Sequence, residues 1–188
     1  MSVWCDSPKY WQNSAGRKAL ANGMTYSMPL EVYLQSALVR GILVTNQDRL
    51  SNTLILGGTD EMFTLKEATV ELADGKSLNV ASDEYLIYMN EVFLIADLSS
   101  SPRSVEEHLY VKKDPNRTLL NIGPYWVQGN IHLLPGAPLH DLLMAKTRFI
   151  PVTEATLIGC PVIVSRTYLV NRSKIGCMTA LGDGLIEF

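Results

Sequence analysis

Leu38-Val-Arg-Gly41-Ile-Leu43, Arg49-Leu50-Ser-Asn52-Thr-Leu54 and Phe63-Thr-Leu65-Lys-Glu67-Ala-Thr69-Val70 follow one another in the first half of the chain. Trp126-Val-Gln-Gly129-Asn-Ile131, Leu139-His-Asp141-Leu-Leu143 and Phe149-Ile-Pro-Val152-Thr-Glu154-Ala-Thr156-Leu157 follow in the same order in the second. Each series passes a glycine inside a strand-like run, then a Leu-x-Asn/Asp-x-Leu step. A Phe ahead of Glu-Ala-Thr and an apolar residue closes it. The shared order reads as an internal duplication. Equivalent landmarks lie roughly 90 residues apart, too far for a solenoid unit of roughly 20 to 50 and suited to two small domains of one type.

Working outward, residues 30 to 98 alternate as strands do. Glu31-Val-Tyr-Leu, Leu38 to Val44, Met62 to Leu72 and Tyr85 to Ile95 are rich in β-branched and aromatic residues, and Gly57-Gly58 and Asp74-Gly75 mark turns between them. Five or six short strands in so short a span predict a small curled sheet. Gly41 is the expected bend, since glycine inside a strand is otherwise a cost. The core expected from the shared landmarks is Leu43, Leu54, Phe63, Leu65 and Val70, with Ile131, Leu143, Phe149, Val152 and Leu157. The fold class is thus mainly β: two tandem small β-barrels, Sm-like or SH3-like, with a short N-terminal helix or arm.

The predicted divisions are an arm or short helix over 1–26, a first barrel over 27–98, a joint over 99–117 and a second barrel over 118–188. Asn13 to Asn22, ended by Gly23, is compatible with a short helix. Trp4, Tyr10 and Trp11 around it read as a flap over the body. Ser99-Ser-Ser-Pro-Arg-Ser104 has linker composition, Ser104-Val-Glu-Glu107 is a capping-box pattern that could open a helix, and Asp114-Pro-Asn-Arg117 reads as a turn. Pro161 demotes the late apolar run to an edge strand or bulge.

At 188 residues, 47% hydrophobic and 19% charged, the composition is that of a globular chain. No apolar run reaches the ~20 residues of a spanning helix, and no signal-peptide pattern opens the chain, so the expected location is the cytoplasm and no membrane is expected as a partner. Cys5, Cys160 and Cys177 match no zinc or redox spacing. Net charge is −3, divided as −6 over residues 25–103, +1 over 104–188 and +2 over 1–24. The acidic first half argues against a broad nucleic-acid surface there, because phosphate contacts call for a basic field.

The glycine-bearing strand followed by Asp48-Arg-Leu-Ser-Asn52-Thr-Leu54 resembles the first motif of the Sm-like proteins, the Sm and Hfq-type five-stranded barrels. Met89-Asn90-Glu91-Val92 and Asn171-Arg172-Ser-Lys174-Ile175 stand where that family keeps its second motif, on a turn between the last two strands. The resemblance implies that Asp48, Asn52 and Asn90, with Asp141, Asn171, Arg172 and Lys174, contact a base of single-stranded RNA. Three departures weigh on that implication. Pro135-Gly-Ala-Pro138 stands where the second copy would carry its Asp, Asp141 replaces the Asn, and the first copy lacks a basic residue in its last turn.

Other residues carry little chemistry. Asp48 and Asn52 sit in a turn, where such side chains bond their own backbone with or without a ligand. Glu67-Ala-Thr69 and Glu154-Ala-Thr156 are expected to begin strands with an outward, solvated Glu. His108, His132 and His140 are scattered, and His140-Asp141 are neighbours that point apart on a strand. No nucleophile elbow or phosphate-cradling loop is present, so no enzyme activity, metal or cofactor is expected. The expected function is a noncatalytic structural or adaptor protein in a homo- or hetero-oligomeric assembly, its partner itself or another protein subunit. Single-stranded RNA binding and small-ligand (nucleotide) binding are the alternatives.

Overall fold

Short apolar segments separated by tight turns tend to pair with their neighbours in sequence, and β1 to β5 and β8 to β11 as numbered below do so. The computed structural model describes residues 18–20, 23–56, 61–78, 82–99, 112–144, 146–159 and 166–182. Its strands are β1 (Lys18–Leu20), β2 (Gly23–Tyr33), β3 (Ala37–Thr45), β4 (Met62–Leu72), β5 (Ser77–Leu78), β6 (Glu84–Tyr88) and β7 (Leu94–Asp97) in the first half. The second half has β8 (Asp114–Ile122), β9 (Tyr125–Leu133), β10 (Phe149–Leu157), β11 (Arg166–Asn171) and β12 (Ile175–Ala180). A π-helical segment, Asn52–Leu56, stands between β3 and β4, and helix α1, Asp141–Met144, between β9 and β10. Two 3-10 turns, Met89–Glu91 and Arg172–Lys174, precede β7 and β12.

All twelve strands belong to one open antiparallel sheet, ordered β12-β8-β9-β10-β11-β7-β2-β3-β4, with β5 and β6 both on β4 and β1 on β2. This corrects the expectation of two separate closed barrels. The strands that flank each 3-10 turn do not pair with each other among the described residues. Instead β7 pairs on one side with β2 of its own half and on the other with β11 of the second half, Tyr168 opposite Ala96, Leu169 opposite Ile95 and Val170 opposite Leu94.

Within this sheet two runs, β7-β2-β3-β4-β6 and β12-β8-β9-β10-β11, have the same register. Gly41 faces Leu30 and Gly129 faces Thr118; Tyr33 faces Leu94 and Asn121 faces Cys177; Arg40 faces Thr69 and Gln128 faces Thr156. In both runs the third strand carries a bulge opposite the glycine, and the bulge residue is a glutamate in the left-handed region, Glu67 at φ 50° and Glu154 at φ 49°. That conformation costs a non-glycine residue about 1–2 kcal/mol. It is held because the bulge drives the strand against the glycine. A Cβ on Gly41 would stand 3.0 Å from the Ala68 Cβ, and one on Gly129 only 2.6 Å from the Ala155 Cβ. The expected bend at Gly41 is therefore a crossing at which the second strand passes the bulged third with no room for a side chain.

Other expectations are corrected in detail. Glu67-Ala-Thr69 and Glu154-Ala-Thr156 lie within β4 and β10 and do not begin them. Lys18–Leu20 of the expected N-terminal helix is a strand, because its backbone pairs with Gly23–Thr25; residues 1–17, 21 and 22 lie outside the described residues. Asp114-Pro-Asn-Arg117 is the start of β8, not a turn. Pro115 is accommodated because, among the described residues, β12 pairs with β8 only as far as Thr118 and no strand faces the proline's missing N–H. Residues 100–111, with the capping-box pattern, and Pro161 lie outside the described residues. Of the expected core, Leu43, Leu54, Phe63, Leu65, Ile131, Phe149 and Val152 are buried, while Val70 and Leu157 are half-buried. Leu143 is exposed, because α1 is a single turn that buries none of its residues.

The two cores are shared between the halves. One gathers Val32, Val39, Leu54, Leu65, Ile87 and Ile95 with Phe149 and Leu169 from the second half. The other gathers Leu120, Val127, Ile131, Val152 and Val170 with Tyr33, Phe93, Leu94 and Ala96 from the first. Both faces of β7 and of β11 are consequently covered, and Leu94-Ile-Ala96 and Tyr168-Leu-Val170 read as unbroken apolar runs, as strands in that position do.

Candidate functional site

The seam between β7 and β11 is where polar chemistry and the residues of the two 3-10 turns converge. Glu31, on β2, faces away from the Leu30 and Val32 side chains, and the second half covers it. Its carboxylate accepts from Arg40 Nε at 3.0 Å, from the Tyr33 hydroxyl at 2.9 Å and from Arg166 Nη1 of β11 at 2.7 Å. Arg40 also donates from Nη1 to Glu71 at 2.6 Å. Burial pulls the Arg40 guanidinium down, and its bonds to Glu71 and Glu31 more than offset this and hold it above its ordinary value. Burial, then the charge of Glu31, push the Tyr33 phenol far up, and burial leads the upward shift of Tyr168. A buried network of this kind adds little stability over an apolar packing but makes one arrangement of the strands much better than its neighbours, here the register of the two halves.

Tyr33 also links this network to three further aromatic rings. Tyr33 meets Tyr125 edge-on at 5.5 Å between centroids and Tyr168 at 6.1 Å, and Phe93 meets Tyr125 at 6.0 Å. The Tyr125 hydroxyl donates to the Leu34 carbonyl at 2.6 Å, a second polar tie between halves, and burial pushes its pKa up to about 12.

Of the residues implied by the Sm-like resemblance, Asn90, Arg172 and Lys174 belong to the two 3-10 turns, which meet at one end of the seam, and Asn171, the last residue of β11, caps the second turn. Asn171 is buried. Its Nδ2 donates to the Met89 carbonyl at 3.1 Å and the Val92 carbonyl at 2.8 Å, and its Oδ1 accepts from the Ser173 N–H and hydroxyl. Its amide thus caps its own turn and grips the turn of the other half. Arg172 donates to the carbonyls of Thr147 and Leu143 and ties the α1 connection down. The Lys174 ammonium lies 5.1 Å from the centroid of the Phe93 ring, within cation–π range. Asn90 is exposed. Asp48 and Asn52, both half-buried, stand on the β3–β4 connection, and Asp141, exposed, stands at the start of α1 on the equivalent β9–β10 connection. Its carboxylate lies 3.4 Å from His140 Nε2 at the surface. The structure brings the second-motif residues of the two halves together and leaves the first-motif residues on separate connections.

No protein-family model matches the chain, and no curated protein or solved structure is similar to it. The site must be read from its own chemistry. His132 Nε2 lies 2.7 Å from the Thr153 hydroxyl, but among the described residues no carboxylate is bonded to that ring to complete a base. No group of three His, Cys, Asp or Glu side chains could hold a metal ion among the described residues, and no described helix is long and apolar enough to cross a membrane. What the arrangement does is bind strands. The Glu31 network was missed at the sequence level, although a charge in each of two apolar strands, Glu31 and Arg40, was its signal. Arg166 gave none, since its partner lies 135 residues away.

Proposed function

We propose that this protein is a noncatalytic structural adaptor of two fused copies of one Sm-like unit, each a curled, barrel-type run of five strands, and that it acts in an assembly. The single observation that carries this reading is the seam. Two runs with the same strand order, glycine crossing and bulged glutamate are joined by β7 and β11, and the polar residues best placed for chemistry are engaged in holding that junction. Residues of the two halves that are neighbours in one chain pair at a raised effective concentration, so a fusion satisfies one strand-edge contact internally. The acidic first half and near-neutral second half present unlike faces. Light scattering behind size exclusion, with the ultraviolet absorbance ratio of the eluted peak, tests the reading. The expected result is a discrete assembly free of nucleic acid. A strict monomer at micromolar concentration would sink it. An assembly that carries single-stranded RNA and loses it on Asn52→Ala would transfer the proposal to RNA binding.

A further inference from the structure

The connection between β9 and β10 presents three large aliphatic side chains to solvent: Leu134 is 53% exposed, Leu143 40% and Met144 81%. The connection is nevertheless anchored. Leu139 and Leu142 pack against the second-half core, and backbone bonds close turns from the Ala137 N–H to the Leu134 carbonyl and from the Leu143 N–H to the His140 carbonyl. Arg172 pins the far side by donating to the carbonyls of Leu143 and Thr147. The apolar side chains are thus carried outward on a fixed support. We propose that this connection is a membrane-docking tip, which seats Leu143 and Met144, with Leu134, at the surface of an anionic lipid bilayer.

The charge around the tip selects that surface. Asp114 faces Leu133, so the exposed Lys112 and Lys113 lead into β8 beside Leu134. Lys146 is exposed just past Met144, and the Arg172 N–H donates to the carbonyl of the half-buried Arg148. Residues 112–114, 134–148 and 171–174 together hold six basic side chains and two acidic ones, a net +4 in a chain whose net charge is −3. Anionic headgroups attract such a collar within a Debye length, and aliphatic side chains at its centre then enter the boundary between headgroups and acyl chains. Single-stranded nucleic acid fits the tip less well. Its bases stack on aromatic rings, and the connection holds no Phe, Tyr or Trp. Docking of this kind does not rest on the adaptor reading, since one chain carries the whole tip.

The experiment is flotation of the full chain with vesicles of phosphatidylcholine alone and of phosphatidylcholine with phosphatidylserine. Partition onto the anionic vesicles should exceed that onto the neutral ones at least about tenfold, because each basic residue near the surface adds attraction, and should fall as salt screens the collar. Met144→Asp sets a charge at the most exposed position of the tip, so it should lower the partition at least about tenfold while circular dichroism and Tm stay as they are. Lys146→Glu should lower it on the anionic vesicles alone, and Leu86→Asp, exposed on β6 of the first half, should leave it unchanged. Equal partition onto the two kinds of vesicle, or partition indifferent to Met144→Asp, would overturn the docking tip and leave the adaptor reading standing. Polyuridylate that binds in the absence of vesicles and is released by Met144→Asp would also overturn it and give the tip to RNA. A fall in the scattering mass of vesicle-free protein on Met144→Asp would overturn it in favour of a contact between copies.

Discussion

Replacing Asn171 by alanine separates a structural strut from a ligand contact. The substitution removes two bonds across the seam, to the carbonyls of Met89 and Val92, and the two bonds by which Oδ1 caps its own 3-10 turn. Each bond across the seam contributes about 1 kcal/mol net, and a side-chain cap about 1 kcal/mol, so the loss is about 3 kcal/mol. For a chain of this length that is a fall in Tm of about 6–12 °C. Asn171→Asp keeps the cap but sets a carboxylate oxygen against the two carbonyls, and should lose at least as much near neutral pH. Asn90→Ala, at an exposed position of the other turn, should stay within about 0.5 kcal/mol. Urea denaturation of the three variants, with Tm alongside, is the assay. If Asn171→Ala melts within about 2 °C of the unsubstituted protein, the buried amide does not hold the halves together and the reasoning fails.

Gly129→Ala should destabilise more than Gly41→Ala. The new Cβ at 129 stands 2.6 Å from the Ala155 Cβ and 2.9 Å from its Cα, so backbone must move, at about 3 kcal/mol; at 41 the nearest atom is 3.0 Å away and about 1 kcal/mol is expected. Equal Cm values for the two would discredit the crossing as the reason for glycine. The tyrosines predict alkaline sensitivity. Tyr125 is pushed up to about 12, and Tyr33 and Tyr168 are also raised above 10, so the folded state keeps protons that the unfolded chain gives up. Stability is then fully present below pH ~10 and falls as pH rises through the folded values, which a pH series of urea midpoints would register as a declining Cm.

Strand content and most of the core could be read from the sequence because alternation and turn residues are local signals, whereas Gly41 reads there as a bend and not as a crossing. The Glu67 and Glu154 landmarks were visible too, though their role was not, since a bulge is a property of the pairing and not of the strand alone. Phe63 and Phe149 look like counterparts in the sequence, yet Phe149 corresponds to Met62. The bulges fix the register, and Phe149 lies one residue further from its glutamate than Phe63 does from its own. The seam left almost no trace. Its tell-tale is that Leu94-Ile-Ala96 and Tyr168-Leu-Val170 are apolar in both phases, which from sequence alone is equally the mark of any buried strand. Asn171 stood out through its motif, and only the fold turns it from a candidate contact into the clasp between two turns.

Strand β7 has one neighbour among the strands that precede it in the chain and one that follows it, and this sets an order on synthesis. When residue 99 leaves the ribosome, β7 can lie against β2, but β11 does not begin until Arg166. Until then Leu94, Ile95 and Ala96 form a bare apolar edge, and the first core lacks Phe149 and Leu169. Completion waits on contacts spanning more than seventy residues of intervening chain, the long-range kind of closure that folds slowly and leaves intermediates open to wrong pairing. The nascent first half is therefore the stage at which this chain most needs shielding.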